Sequence, residues 1–382
     1  MNREIQKFSS RFFSFIFYYV LAALFTIIIF YKSGEIFWLN KTLDAQVNDR
    51  RNFIYGAAYS NLPHYFKFAA TKNISPDILV IGSSRVMQFR SSFFSDSIPF
   101  YNAGGVFSRL TQIRSFLESL PSSRLPGVII IGLDQWWFSA QYDYLTKTPN
   151  DLIYHQYSWL NNWEALSKWQ QFYFDCWSGK ISWNHWCLKK SNNTEWYGLA
   201  ALIEQSGIRK DGSREYGDKL NNRLSVKDSF QQKPNNELSG VALFNFLETI
   251  DKNAIDELRL LLLFCKINNI SVSGFLPPVH DDLLIQFEKQ LKNYTCFFHL
   301  QESLNPVFRE NGFRIYDFTR LKSYGSNNDE MIDALHAGEK SALKLYLQLL
   351  RTDTYLNQYS DSTYLKLKLD SANGNFILFG NY

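Results

Sequence analysis

The sequence predicts an α/β protein with a parallel sheet at its core and a single N-terminal membrane-spanning helix. Three observations predict it. Short, wholly apolar runs recur along the chain and stop at glycine or proline, as strands buried on both faces do. Segments with apolar residues at helical spacing separate them, which is the alternation of a doubly wound α/β fold. Residues 12–31 form 20 consecutive positions without a formal charge. At about 1.5 Å per residue they reach roughly 30 Å, the thickness of bilayer hydrocarbon.

Taken in order, residues 1–11 are a tail. Its Arg3, Lys7 and Arg11 predict, by the positive-inside tendency, a cytoplasmic N-terminus and an exported remainder. A cleaved signal peptide fits less well. The apolar run is too long for one, and Lys32-Ser33-Gly34-Glu35 offers no small-x-small cleavage site. Residues 32–74 read as a membrane-proximal segment, and a main domain follows over 75–352.

In that domain five strands are predicted. Ile78-Leu79-Val80-Ile81 ends at Gly82, and Phe100-Tyr101 leads into Asn102-Ala103-Gly104. Val128-Ile129-Ile130-Ile131 ends at Gly132, residues 270–276 end at Pro277-Pro278, and residues 314–318 form the fifth. Leu110, Ile113, Leu117 and Leu120 predict a helix after the second strand. Ile255, Leu258, Leu262 and Cys265 predict one before the fourth, and Leu284, Phe287 and Leu291 one after it.

The alternation stops over about 137–238, an insertion rich in tryptophan with a polar tract from Lys210 to Asn236. So long a stretch reads as a lid, a partner surface or an added subdomain. Its tryptophans suit packing, contact with a membrane interface, or stacking on a sugar face. Residues 353–382 are expected to form a C-terminal β-hairpin. Tyr364-Leu365-Lys366-Leu367-Lys368-Leu369 alternates strictly and meets residues 375–379 through an Asn373-Gly374 turn.

Composition excludes some functions. A net charge of +4 without a Lys/Arg block is not a nucleic-acid footprint. The cysteines Cys176, Cys187, Cys265 and Cys296 show no zinc spacing, and no metal or cofactor is implied. Cys176 and Cys187 bracket a short Trp-rich segment and are candidates to pair in an oxidising periplasm, whereas Cys265 reads as a buried thiol.

Four stretches carry the chemistry: Gly82-Ser83-Ser84-Arg85, Asn102-Ala103-Gly104-Gly105, Gly132-Leu133-Asp134 and Asp333-Ala334-Leu335-His336. The first three stand at carboxyl ends of predicted strands, where ligands bind in such sheets. Ser84 is a candidate nucleophile, or with Ser83 a helix N-cap. His336 is a candidate base oriented by Asp333, or a surface His beside a capping Asp. The N–H groups of Ser84 and Gly104 are candidate oxyanion donors, unless Gly104 merely makes a turn. Arg85 and Asp134 are expected either to pair with each other or to bind substrate, Arg85 through an anionic group and Asp134 through a hydroxyl, unless Asp134 caps a helix.

Jointly these segments resemble the SGNH (GDSL-like) hydrolase superfamily, which implies a flavodoxin-like three-layer domain. Gly82-Ser83-Ser84 stands where the family has Gly-Asp-Ser, and Gly104 matches the glycine of its second block. Gly132-Leu133-Asp134 stands for Gly-x-Asn, and Asp333 to His336 is its Asp-x-x-His. Ser83 and Asp134 depart from the pattern, and the second departure removes an oxyanion donor. The departures and the anchor are similar to the export-side branch that O-acylates cell-surface polymers. That branch includes the DltD-like proteins of teichoic-acid D-alanylation and the exopolysaccharide O-acetylation proteins. The resemblance implies a serine O-acyltransferase with a Ser84–His336–Asp333 triad, acting on a polysaccharide from the outer face of the cytoplasmic membrane. It also implies a polytopic membrane-bound O-acyltransferase as partner. A simple carbohydrate esterase uses the same residues, and a non-catalytic glycan-binding or scaffold subunit is the alternative of another class.

Overall fold

A computed structural model describes residues 2–36, 39–48, 52–60, 63–140, 162–181, 194–220 and 248–380. Its strands are β1 (Asn52–Tyr55), β2 (Ile78–Ile81), β3 (Phe100–Asn102), β4 (Val128–Gly132), β5 (Thr194–Tyr197), β6 (Gly207–Arg209), β7 (Arg214–Glu215), β8 (Ser271–Leu276) and β9 (Arg314–Asp317). The chain forms two compact units: Met1–Pro63 with Tyr157–Ile208 and Glu215–Gly217, and His64–Gln156 with Arg209–Arg214 and Asp218–Tyr382.

The second unit holds a five-stranded sheet in the order β3-β2-β4-β8-β9. Every adjacent pair is parallel. Such pairing needs crossover connections, and these put helices on both faces. That is why the strands carry no alternation: all four residues of β2 and all five of β4 are buried. Ile78, Val80, Val128, Ile130 and Phe275 turn to one face, where they join Leu343, Tyr346 and Leu347 of the helix Glu339–Thr352. On the other face Gly274 leaves room for the ring of Phe308, from the helix Thr295–Glu310. The helices Leu110–Glu118 and Lys252–Ile267 pack on each other. Asp251 caps the second of them by accepting from the Asn253 N–H.

The chain begins this sheet at β2, turns to β3 on one side, then crosses to β4 on the other. The order reverses at β2 and β4, and the crevice above their carboxyl ends is the expected binding place of a doubly wound sheet.

The C-terminal hairpin expectation is corrected. Residues 362–370 form the helix Ser362–Asp370, and no strand forms over 375–379. Asp361 starts the helix by accepting from the Thr363 and Tyr364 N–H groups at 2.9 and 3.0 Å. Leu365 and Leu369, four apart, pack into the core beneath the helix Glu339–Thr352, while Leu367 is 64% exposed. The alternating leucines therefore serve a helical face. Residues 375–380 run back as a strap: the Leu378 N–H donates to Glu339 Oε2 and Gly380 O accepts from Arg90.

The first unit contains the long apolar helix Asn2–Ser33, which is long and apolar enough to cross a membrane. Here β1 pairs in parallel with β5, within a sheet of order β5-β1-β6-β7. Glu35, directly after the long helix, is fully buried and accepts from the N–H groups of Ala58, Tyr59, Ser60 and Leu199. Of the predicted insertion, the described part includes the helices Trp163–Ser167 and Trp169–Trp177. Cys187 lies outside the described residues, and with it the Cys176–Cys187 pair. Cys265 and Cys296 are buried free thiols.

Candidate active site

β2 ends in Gly82, whose φ is +155°, and an added Cβ would meet Val86 at 2.8 Å and Gly132 O at 2.9 Å. Glycine alone permits this sharp exit from the strand. The chain then enters a 3₁₀ turn, Ser84–Val86, capped by Ser83, whose hydroxyl accepts from the Arg85 N–H at 3.2 Å. Ser83 is thus the cap, which leaves the Ser84 hydroxyl free for other work. It lies 2.7 Å from His336 Nε2.

His336 stands in a closed loop before the helix Glu339–Thr352. Ile332 N–H donates to His336 O at 2.7 Å, and Met331 bridges Ala337. Asp333 organises this loop from within. Its Oδ1 accepts from the Leu335 and His336 N–H groups, both at 2.8 Å, and Oδ2 lies 2.7 Å from His336 Nδ1. A carboxylate at Nδ1 favours the tautomer that leaves Nε2 as acceptor for the Ser84 proton. Burial raises the Asp333 pKa, but the imidazole and the two N–H donors outweigh it and hold the carboxyl below its ordinary value. Ser84, Asp333 and His336 are half-buried, so the three groups open to solvent. A hydroxyl, an imidazole and a carboxylate in this chain of contacts can activate the serine for attack on an acyl carbon.

The two N–H groups expected as oxyanion donors differ in their hydrogen bonding. The Ser84 N–H, first of its turn, has no acceptor among the described residues. The expectation for Gly104 is corrected: its N–H donates to Asn102 Oδ1 at 2.8 Å. Asn102 is itself held by donating Nδ2 to Val86 O and Phe89 O, both at 2.9 Å. The asparagine at the end of β3 therefore consumes the donor. Lys67, fully buried, secures the same loop by donating to the carbonyls of Asn102, Gly104 and Gly212. Burial pulls its pKa down to about 7.

Of the alternatives for Arg85 and Asp134 the structure shows the pairing, and corrects the expectation that they bind substrate. Arg85 has a side chain 1% exposed, and Asp134 is completely buried. Arg85 Nη1 donates to Gln135 Oε1 at 2.6 Å and lies 3.3 Å from Asp134 Oδ1. Its Nη2 donates to Pro277 O at 2.8 Å and Pro278 O at 2.6 Å. The guanidinium also lies over the Trp136 ring, 5.3 Å from its centroid. Every one of these partners belongs to the chain, so Arg85 ties the ends of β4 and β8 to the Ser84 turn. Burial raises the Asp134 pKa to about 6, opposed only in part by Arg85, Ser83 and His336.

Some participants were not singled out from the sequence. Gln135 braces Arg85 and donates to Pro277 O. His280, next to the site loop, donates its N–H to Ala334 O, and its Nδ1 accepts from the Asp282 N–H. Buried Arg90 pairs with Glu339, three residues after His336. Only Asn102 had a sequence signal, as part of the quoted Asn102-Ala103-Gly104-Gly105 turn. Among the described residues no group of three or more His, Cys, Asp or Glu could hold a metal ion.

Compared with known family models and with curated proteins, the chain matches none.

Proposed function

We propose that this chain is a membrane-anchored serine O-acyltransferase that works on the exported side of the cytoplasmic membrane and modifies a polysaccharide hydroxyl. The observation that carries the reading is the continuous contact from Ser84 Oγ to His336 Nε2, 2.7 Å, and from His336 Nδ1 to Asp333, 2.7 Å. In this reading Ser84 attacks the acyl carbon of a donor and His336 takes its proton, then returns it to the leaving group. A glycan hydroxyl next attacks the acyl carbon of the acyl-serine and loses its proton to His336, which passes it to Ser84 Oγ as the acyl–Ser84 bond breaks. The Ser84 N–H is the oxyanion donor the reading retains.

An SGNH-type frame is the proposed lineage. Counted within the five-stranded sheet, the strand order is 2-1-3-4-5, the flavodoxin-like order. The serine follows the first of those strands and the Asp-x-x-His follows the last. The apolar helix Asn2–Ser33 supports a single anchor, and Arg3, Lys7 and Arg11 before its apolar run support a cytoplasmic N-terminus. A polytopic membrane-bound acyltransferase is the proposed source of acyl groups. Hydrolysis would use the same groups with water as acceptor.

A second reading, a non-catalytic glycan-binding or scaffold subunit, draws on the engaged Gly104 N–H and the buried Asp134, which leave the oxyanion site short of donors. A fluorophosphonate probe on the purified protein separates the two. The enzyme reading expects an adduct on Ser84 that His336→Ala abolishes. Absence of labelling in detergent and in native membranes alike favours the scaffold.

A further inference from the structure

We propose that Lys67 is a positioning residue for acyl transfer, its buried ammonium polarising the Ser84 N–H through two peptide groups. The proposal rests on the enzyme reading, in which that N–H receives the oxyanion. Lys67 stands in the helix Pro63–Ile74 and is 1% exposed. Its Nζ donates to Asn102 O at 3.1 Å, to Gly212 O at 2.9 Å and to Gly104 O. Those bonds use every donor an ammonium has. Among the described residues no carboxylate pairs with it, and the charges that bear on it, Arg214 and Asp211, oppose each other. Taking a cation out of water is costly, and a glutamine amide has donors for two of the same carbonyls without a charge. What the lysine adds to the loop is a fixed positive charge.

The charge has a path to the site. Gly104 O belongs to the peptide group that carries the Gly105 N–H. That N–H donates to Ser83 O at 3.0 Å, and equally to Gly82 O. Ser83 O belongs in turn to the peptide group that carries the Ser84 N–H. The series runs from ammonium to carbonyl, amide, carbonyl and amide, with the positive end of each dipole pointing on toward Ser84. Hydrogen bonds in such a chain strengthen one another, by about 10–30% per bond. The Val86 N–H adds a second, longer contact to Ser83 O at 3.4 Å. The series ends at the donor that matters. The Ser84 N–H has no acceptor among the described residues, whereas the Gly104 N–H is taken by Asn102 Oδ1. Gly104 thus serves the site with its carbonyl instead of its N–H. A backbone donor held in place and polarised beforehand needs no reorganisation when charge develops on the substrate. Lys67, the Ser84 turn, the Gly104 loop and Gly212 all belong to the second compact unit.

The test uses the full chain in detergent and Lys67→Met, which keeps the length of the side chain and removes its charge. One readout is the rate of fluorophosphonate labelling at Ser84, measured at slightly acid pH, where Lys67 is protonated despite its burial. The other is fluorine NMR of an alkyl trifluoromethyl ketone adduct, titrated with pH, because its hemiketal oxygen on Ser84 is the oxyanion itself. Removing the charge should slow labelling about tenfold and raise the hemiketal pKa by about one pH unit, the same factor. Loss of a merely structural tie lowers the thermal midpoint and leaves the hemiketal pKa where it was. A hemiketal pKa within about 0.3 of the parent's, or labelling within about twofold, overturns the proposal and leaves the enzyme reading standing. Where Lys67→Met does not fold, Lys67→Gln, with its two amide donors, carries the same expectation and the same refutation. A parent chain that takes up neither probe overturns the enzyme reading and the proposal together.

Discussion

Replacing Asp333 with Asn tests the catalytic reading at the residue where structure and chemistry are easiest to separate. The asparagine keeps an oxygen for the Leu335 and His336 N–H groups that Oδ1 now receives. What changes is the atom opposite His336 Nδ1, where Oδ2 now sits at 2.7 Å. An amide NH₂ there requires Nδ1 to accept, so the proton moves to Nε2 and the base can no longer take the Ser84 proton. In a buried triad that inversion costs about 10⁴ in rate. Here the Asp333 side chain is 45% exposed and that of His336 24%, so water can replace part of the carboxylate's work. The expected loss is therefore about 10²–10³, or roughly 3–4 kcal/mol in the barrier. The assay is the second-order rate of fluorophosphonate labelling at Ser84 near neutral pH, which needs no natural donor. The thermal midpoint should stay close to that of the parent chain. A labelling rate within about threefold of the parent, with the fold intact, refutes the role given to Asp333.

Other expectations follow from the same geometry. Arg85→Met removes the partner of Asp134, Gln135 and two proline carbonyls and should destabilise the protein by about 3–5 kcal/mol in denaturant titration; a change below about 1 kcal/mol contradicts a structural clamp. Asp134 has a folded pKa of about 6 against 3.8 ordinarily, so its contribution to stability is full below 3.8 and lost as pH rises through about 6. The stability of the parent relative to Asp134→Asn should fall across that window, by roughly 2–3 kcal/mol at most, and level off above it; a flat difference shows that Arg85 keeps Asp134 charged throughout. Deleting residues 375–382 takes the Leu378 N–H from Glu339, Gly380 O from Arg90 and the buried Phe379 ring from the core. It should cost about 3–5 kcal/mol and slow Ser84 labelling, because Glu339 begins the helix that follows the His336 loop. Leu365→Ala should cost about 2–5 kcal/mol and Leu367→Ala less than about 0.5; equal costs in chemical denaturation argue against the helix Ser362–Asp370.

Local information determined much of this protein. The apolar runs at 78–81 and 128–131 could only be strands covered on both faces, since their uniform burial leaves no wet side. The uncharged run of residues 12–31 announced a helix that a bilayer suits. The Asp333–His336 contact was legible because three residues of one loop hold both partners. Tertiary structure decided what depends on distant atoms. Ser84 and His336 are 252 residues apart, and only the order of the parallel strands brings them within 2.7 Å. Whether Arg85 and Asp134 face substrate or each other depended on carbonyls 192 and 193 residues away that close around the guanidinium. Gly104 lost its expected role to the Asn102 side chain two residues before it, a choice fixed by the carbonyls of Val86 and Phe89 that hold the amide. The leucines of 364–369 fit either period. The core beneath the helix Glu339–Thr352 took two of them, Leu365 and Leu369, on one helical face, because burial of side chains outweighs a local alternation that a strand without a partner could not satisfy.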